Sequence, residues 1–112
     1  MSDINAMYKE AETLRNEGKL EEAISKLTEL LQADRGHTLS HLALAVLYGR
    51  VNKHEDAVRH GQKACELDPN DPFNFTAMSV TYQRAWAGTQ NQQYIQMAED
   101  AMARAHMLEG RA

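Results

Sequence analysis

The fold is decided by residues 38–71, which read TLSHLALAVLYGRVNKHEDAVRHGQKACELDPND. Apolar residues recur at three- and four-residue spacing on both sides of Asn52-Lys53, which is typical of two amphipathic helices joined by a turn. Pro69 ends the second helix, and Asp71-Pro72 supplies a side-chain acceptor and a helix-compatible proline for the next one. The stretch therefore predicts a helical hairpin followed directly by another helix.

A shift of 34 residues places the same pattern on the neighbouring segments. In the first helix of each pair, Ala11 falls on Ala45. In the second helix, Ala23 falls on Ala57. Small residues at these points allow the two helices of a hairpin to cross closely, so the period predicts repeated helical hairpins.

The third pair is longer than the other two. Tyr82 continues the period, but Ala98 matches Ala57 only if seven extra residues are inserted between Tyr82 and Ala98. Seven residues are about two helical turns, so both helices can lengthen without rotating their apolar faces. Six helices in three antiparallel pairs are therefore predicted, with caps at Ser2 or Asp3, a last boundary in residues 87–91 and no strand.

These features resemble the tetratricopeptide repeat family, and the matching residues are Leu44-Ala45, Tyr48, Ala57, Ala64 and Leu67-Asp68-Pro69. Glu10 and Arg35 depart from the leucine and the closing proline that are usual there. The resemblance implies an all-α fold, a right-handed superhelical stack of three helix-turn-helix repeats. It implies one domain over residues 1–112, with repeats at about 4–37, 38–71 and 72–109, the third with the insertion. The alternative is a plain helical bundle.

Composition and charge narrow the class of protein. The formal net charge is −4 and basic residues are interleaved with acidic ones, so a nucleic-acid partner is not expected. Cys65 is the only cysteine, which excludes an internal disulfide and favours a reducing compartment, the cytoplasm. Neither a signal-peptide pattern nor an apolar run of about 20 residues occurs, so neither export nor a membrane partner is expected.

Cysteine and histidine side chains offer two candidate chemical sites. Cys65 with His60 or His106 would make a thiolate nucleophile, but a small apolar residue in a helical stack is the simpler interpretation. His37 and His41 are one helical turn apart, yet two ligands are too few for a metal site. A capping histidine and a packing histidine are expected instead.

Paired acidic residues have an equally simple interpretation. Glu21-Glu22 and Glu55-Asp56 stand at predicted helix N-termini, where acids stabilise the helix dipole. The sequence also lacks a glycine-rich phosphate-binding loop, because Gly49 and Gly88 are isolated glycines and neither follows a predicted strand. Neither enzyme activity nor a cofactor or metal is therefore expected.

The resemblance also implies where a partner would bind. First helices of the family line a concave surface that takes a peptide or a protein segment, so a protein-interaction scaffold is expected. The ligand-facing positions are Asn5, Tyr8, Glu12, Arg15 and Asn16, then Leu39, Leu42, Val46, Gly49 and Arg50, then Phe73, Thr76, Val80, Gln83 and Arg84. The partner-binding set is Tyr8, Leu39, Leu42, Val46, Phe73 and Val80, bordered by Arg50 and Arg84. The alternative is that the apolar members are buried by tighter curvature.

Two features of the expected binding surface differ from what is usual in the family or in a helix. A clamp for chaperone C-termini ending in Glu-Glu-Val-Asp needs cationic and amide donors for two carboxylates. Its positions here are Tyr8, Glu12, Ala43, Phe73 and Ala77, so no such binding is expected. Gly49 lies within a helix, at a cost of about 1 kcal/mol relative to alanine, so a ligand backbone or the adjacent helix is expected to approach it closely.

A homo-oligomer is the alternative function. Stacked repeats usually end in a polar capping helix, which covers the last apolar surface. The final predicted helix instead carries the apolar residues Ile95, Met97, Met102, Met107 and Leu108. A second copy is therefore expected to cover this helix, and size-exclusion chromatography with light scattering separates that function from a monomeric scaffold.

Overall fold

The computed structural model describes residues 3–110, which form six α-helices. These helices are α1 (Ile4–Asn16), α2 (Leu20–Ala33), α3 (Thr38–Arg50), α4 (His54–Leu67), α5 (Pro72–Thr89) and α6 (Gln93–Leu108). The most extensive contacts join α1 to α2, α3 to α4 and α5 to α6, and each hairpin also contacts the next. No strand occurs within residues 3–110, so the predicted all-α stack is confirmed.

Local capping signals set the helix ends. The carboxylate of Asp3 accepts a hydrogen bond from the amide of Ala6 at 3.2 Å, whereas Ser2 lies outside the described residues. The carboxylate of Asp71 accepts from the amide of Phe73 at 3.0 Å, and Pro72 is the first residue of α5. Gly18 follows α1 with a φ of 80°, a left-handed conformation that glycine adopts without strain. The predicted caps at Asp3 and Asp71 and the predicted start of a helix at Pro72 are confirmed.

The third hairpin is longer, as the insertion predicts. α5 has 18 residues and α6 has 16, whereas the helices of the first two hairpins have 13 and 14. The break lies at the end of the predicted interval, because Gln90 takes the left-handed turn with a φ of 63°. Gly88 lies inside α5 instead, where the imidazole of His54 occupies the space that a Cβ would need.

Two apolar clusters fill the stack. The first joins the first hairpin to α3 and contains Ala11, Ala23, Ile24, Leu27, Leu44 and Leu47. The second joins α4 to the third hairpin and contains Val58, Met78, Tyr82, Ala85, Ala98 and Ala101. The predicted small residues are buried at the helix crossings, which lets the hairpins approach closely.

Asn74 connects the second hairpin to the third. Its side chain is 1% exposed, and its amide nitrogen lies 3.1 Å from the carbonyl oxygen of Asp68 and 3.4 Å from that of Ala64. Each of these carbonyl groups also accepts a backbone amide, that of Asp68 for Ala64 and that of Asp71 for Asp68, so the Asn74 amide adds a second donor to two acceptors at the end of α4. Asn74 thereby fixes the start of α5, and with it the position of Phe73.

Candidate protein-binding surfaces

The predicted ligand positions form one stripe on α3 and one on α5. On α3 the stripe runs through Leu39, Leu42, Val46 and Arg50, and on α5 through Phe73, Val80 and Arg84. Spacings of three, four and seven residues keep side chains on one side of a helix. Because α3 and α5 are in contact, the two stripes belong to neighbouring helices.

Four large apolar residues of these stripes are exposed. The exposed fractions are 53% for Leu39, 38% for Val46, 61% for Phe73 and 41% for Val80. We call these four residues the concave patch. Clustered apolar side chains that are left in water typically mark a partner site.

Two other residues of the predicted partner-binding set, Leu42 and Tyr8, are less exposed than these four. Leu42 is only 9% exposed, so the prediction of an exposed side chain there is corrected. Tyr8 is half-buried, packs against the first apolar cluster and lies 5.6 Å from the ring of His37, centroid to centroid. Burial raises the pKa of the Tyr8 phenol, and the nearby carboxylate of Glu12 acts in the same direction. Both residues therefore support the surface more than they form it.

Arg50 and Arg84 are exposed at the end of the stripes, and neither forms an ion pair within the described part of the chain. A Cβ placed on Gly49 would lie 3.9 Å from Cδ of Arg84, at ordinary contact distance. The expected close approach of the adjacent helix is therefore not seen at Gly49, where only the aliphatic stem of Arg84 lies nearby, and the approach of a ligand backbone stays a prediction. The cationic ends remain available to pair with acidic groups.

Cys65 lies in the stack as a small apolar residue. Its Sγ donates to the carbonyl oxygen of Asn74 at 3.6 Å and contacts the second apolar cluster. Burial raises the pKa of the thiol to about 11, and the carboxylate of Glu66 acts in the same direction. Because the thiolate is the nucleophilic form, this environment disfavours nucleophilic chemistry.

The histidines serve hydrogen bonding and packing. His37 holds the N-cap position of α3 without bonding the backbone through its side chain, and its Nδ1 lies 2.7 Å from Oγ of Ser40. His41 is buried and pairs with His60 rather than with His37. Within residues 3–110, no group of three or more His, Cys, Asp or Glu side chains is placed to hold a metal ion.

A second apolar surface lies between α5 and α6, and all of its lining residues belong to these two helices. It is a groove of about 590 Å³ lined by Ser79, Gln83, Trp86, Ala87, Ile95, Ala98, Glu99 and Met102. We call it the terminal groove. Ile95 and Met102 were predicted on the uncovered helix face, but Trp86 was not singled out by sequence reasoning. Its position one turn before the end of α5 was the available signal.

Met107, also predicted on that face, is 63% exposed, whereas Met97 and Leu108 are half-buried. Met97 packs against the second apolar cluster. Met107 lies five residues after Met102, about 140° around the helix, so it faces away from the terminal groove. The apolar residues of α6 therefore serve different surfaces.

Comparisons with known proteins agree on the fold. No protein-family model and no curated protein matches the sequence. Among solved structures, the type III secretion translocator chaperone SycD of Yersinia enterocolitica, in an alternative dimer, superposes with a TM-score of 0.81 at 17% identity. The alignment covers 98% of this chain and 79% of SycD.

Two further structures are similar. The second tetratricopeptide repeat domain of Spaghetti (RPAP3), bound to the HSP90 peptide SRMEEVD, gives a TM-score of 0.76 at 22% identity over 94% of this chain and 91% of that one. MamA from Desulfovibrio magneticus RS-1, residues 41 to the end, gives 0.75 at 17% identity over 96% of this chain and 57% of that one. The chain thus has a tetratricopeptide-repeat fold. None of its described helices is long and apolar enough to cross a membrane.

Proposed function

We propose that the chain is a non-catalytic protein-interaction scaffold whose concave patch binds a hydrophobic helix or extended segment. The observation that carries this proposal is the exposure of four large apolar side chains on two adjacent first helices. Desolvating such side chains stabilises a complex by about 25 cal/mol for each Å² of apolar surface removed from water. We also propose a cytoplasmic location, because Cys65 is the only cysteine of the sequence and such usage is compatible with a reducing compartment.

The similar structures support the same class of function. SycD is a translocator chaperone, and the repeat domain of Spaghetti is bound to a peptide. In this chain the surface is apolar, so we propose an apolar segment as the ligand, flanked by acidic residues that pair with Arg50 and Arg84. Charges at the rim of an interface raise the association rate and fix orientation more than they raise affinity.

The test begins with affinity capture of a partner on the purified chain from its native lysate, followed by titration of that partner. Phe73→Ala removes the most exposed apolar anchor of the patch and should weaken binding by about 2–4 kcal/mol at all salt concentrations. Arg84→Ala should weaken binding mainly at low salt. Met107→Ala removes an equally exposed apolar side chain outside the patch and is the matched control.

Thermal unfolding of each variant separates binding from folding, since Phe73 stands in the first turn of α5. If folded Phe73→Ala and Leu39→Ala bind the partner as tightly as the unmodified chain does, the concave patch is not the binding site.

Self-assembly is the second candidate function, favoured by the exposure of Met107 at the end of α6. In that case Met107→Glu together with Leu108→Glu shifts a dimer toward monomer, because two carboxylates would be buried at the interface. Sedimentation of a concentrated sample as a monomer, unchanged in the variant, would contradict self-assembly.

A further inference from the structure

The first two hairpins each have a groove between their helices that is filled by the first helix of the next hairpin. In the first hairpin, Ala11 and Leu27 lie against Ala43 and Leu47 of α3 and leave a cavity of only about 10 Å³. In the second hairpin, the space beside Gly61 is filled by the thioether of Met78 from α5.

The terminal groove is the corresponding groove of the third hairpin. The 34-residue period carries Ala11 to Ala45 and then to Ser79, and the lengthened period carries Leu27 to Gly61 and then to Met102. Ser79 and Met102 line the terminal groove. Within residues 3–110 no helix fills it, so its walls remain open where those of the first two grooves are packed.

We infer that the terminal groove binds an amphipathic helix of a partner protein, in the position that α3 and α5 take on the preceding hairpins, and that this helix brings a lysine or arginine to Glu99. This inference does not depend on the concave patch, which is a different surface.

The position of Glu99 indicates that the partner helix carries a cationic residue. The repeat period places it on Ile24 and Val58, and both of these residues are buried in the two filled grooves. A helix docked in the same way would therefore cover Glu99, which has no hydrogen bond or ion pair within the described residues. Covering a carboxylate without a partner is costly, so a complementary helix supplies a cation at this point.

A second copy of this chain fits the terminal groove poorly. In α1, which stands at the other end of the stack, the positions equivalent to Ala43, Leu44 and Leu47 hold Lys9, Glu10 and Thr13, all exposed. Two terminal grooves packed face to face would bring together two Glu99 carboxylates, since no lysine or arginine lines the groove. A helix from a different protein avoids both problems.

Trp86 gives a direct readout, because it lines the terminal groove and is the only tryptophan of the sequence. The probe is a stapled helical peptide with the sequence of α3, which already packs on the first hairpin and contains no tryptophan. One version carries Leu44→Lys, which faces Glu99 in the inferred pose, and the matched version carries Leu44→Glu.

The lysine peptide should shift the Trp86 emission to the blue with saturation at one peptide per chain, and it should bind at least about tenfold more tightly than the glutamate peptide. Glu99→Lys should reverse this order, and Met102→Glu should abolish binding of the lysine peptide. Phe73→Ala should leave peptide binding unchanged, which separates this site from the concave patch. Circular dichroism shows that each variant is folded.

Three results would overturn the inference. The first is no saturable shift with either peptide, and the second is equal binding of the two peptides to the unmodified chain. The third is sedimentation as a dimer in which Trp86 is already shielded, which would make a second copy the occupant.

Discussion

Nδ1 of His41 lies 3.0 Å from Nδ1 of His60, so one ring must donate to the other. Nε2 of His41 lies 3.2 Å from the carbonyl oxygen of Arg35, which only accepts. A neutral His41 therefore carries its proton on Nε2 and accepts at Nδ1 from His60. The ring of His60 also stacks on Tyr48, with centroids 5.5 Å apart. This pair joins α3 to α4 and requires at least one neutral imidazole.

We expect the free energy of unfolding to fall as the pH is lowered and this histidine pair becomes protonated. Burial lowers the pKa of His60 to about 4, His41 and Arg59 act in the same direction, and Asp56 opposes them. Burial also lowers the pKa of His41, and the hydrogen bond to the carbonyl oxygen of Arg35 partly opposes this effect by raising the pKa. Below pH 6.5 the unfolded chain binds more protons than the folded chain, so the free energy of unfolding decreases from about pH 6.5 toward pH 4.

Because the His60 ring is only partly buried, the loss should be about 1–2 kcal/mol. Urea unfolding across this pH range measures it. His60→Phe keeps a stacked ring and should flatten the dependence, whereas His106→Phe, at an exposed site on α6, should not. An equal slope in the two variants would contradict this assignment.

Asn74→Leu should destabilise the fold by about 1–3 kcal/mol, because it removes the side-chain hydrogen bonds to the carbonyl groups of Ala64 and Asp68, which then keep only their backbone donors. Leucine has the same branched arrangement of heavy atoms but a larger volume, so crowding at this buried position adds to the loss. Denaturant titration gives the change, and Asn5→Leu on the exposed surface of α1 is the control. A loss no larger than that of the control would show that the two side-chain hydrogen bonds do not stabilise the junction of α4 and α5.

Gly49→Ala should stabilise the chain by up to about 1 kcal/mol, since alanine is the better helix former and its Cβ meets only the stem of Arg84. Gly61→Ala is the matched opposite case. Its Cβ would lie 2.5 Å from Sδ of Met78, which is buried and must move. Thermal unfolding of both variants should give shifts of opposite sign, and shifts of the same sign would count against the packing described at Gly61.

We expect no micromolar binding of the peptide SRMEEVD in calorimetry. The positions that would need donors for its carboxylates hold Tyr8, Glu12, Ala43, Phe73 and Ala77. Glu12 would also repel the peptide. The repeat domain of Spaghetti, which was solved with this peptide, is the positive control. Saturable binding to this chain would mean that other donors form a clamp.

The helices and their ends were predictable from the sequence because their signals are local. Asp71 and Pro72 specify the start of α5 through a side-chain acceptor and a fixed φ, whatever packs around them. The 34-residue period adds the hairpin order, since each repeat buries its apolar face only against its neighbours. The end of α5 was harder to predict from the sequence. Glycine has a low helix propensity, yet Gly88 lies inside α5, where its lack of a side chain leaves room for the imidazole of His54.

The binding surfaces depended on the tertiary structure. Leu39 and Leu42 stand about 60° apart around α3, and both were predicted to face a ligand, yet only Leu39 is exposed. Which of them is covered depends on how α3 packs against its neighbouring helices, and many distant contacts set that packing. The same reason applies to the buried amide of Asn74 and the pairing of His41 with His60. The sequence by itself determined the helices and their order, and only the packing of one hairpin on the next decided which of their residues remain exposed.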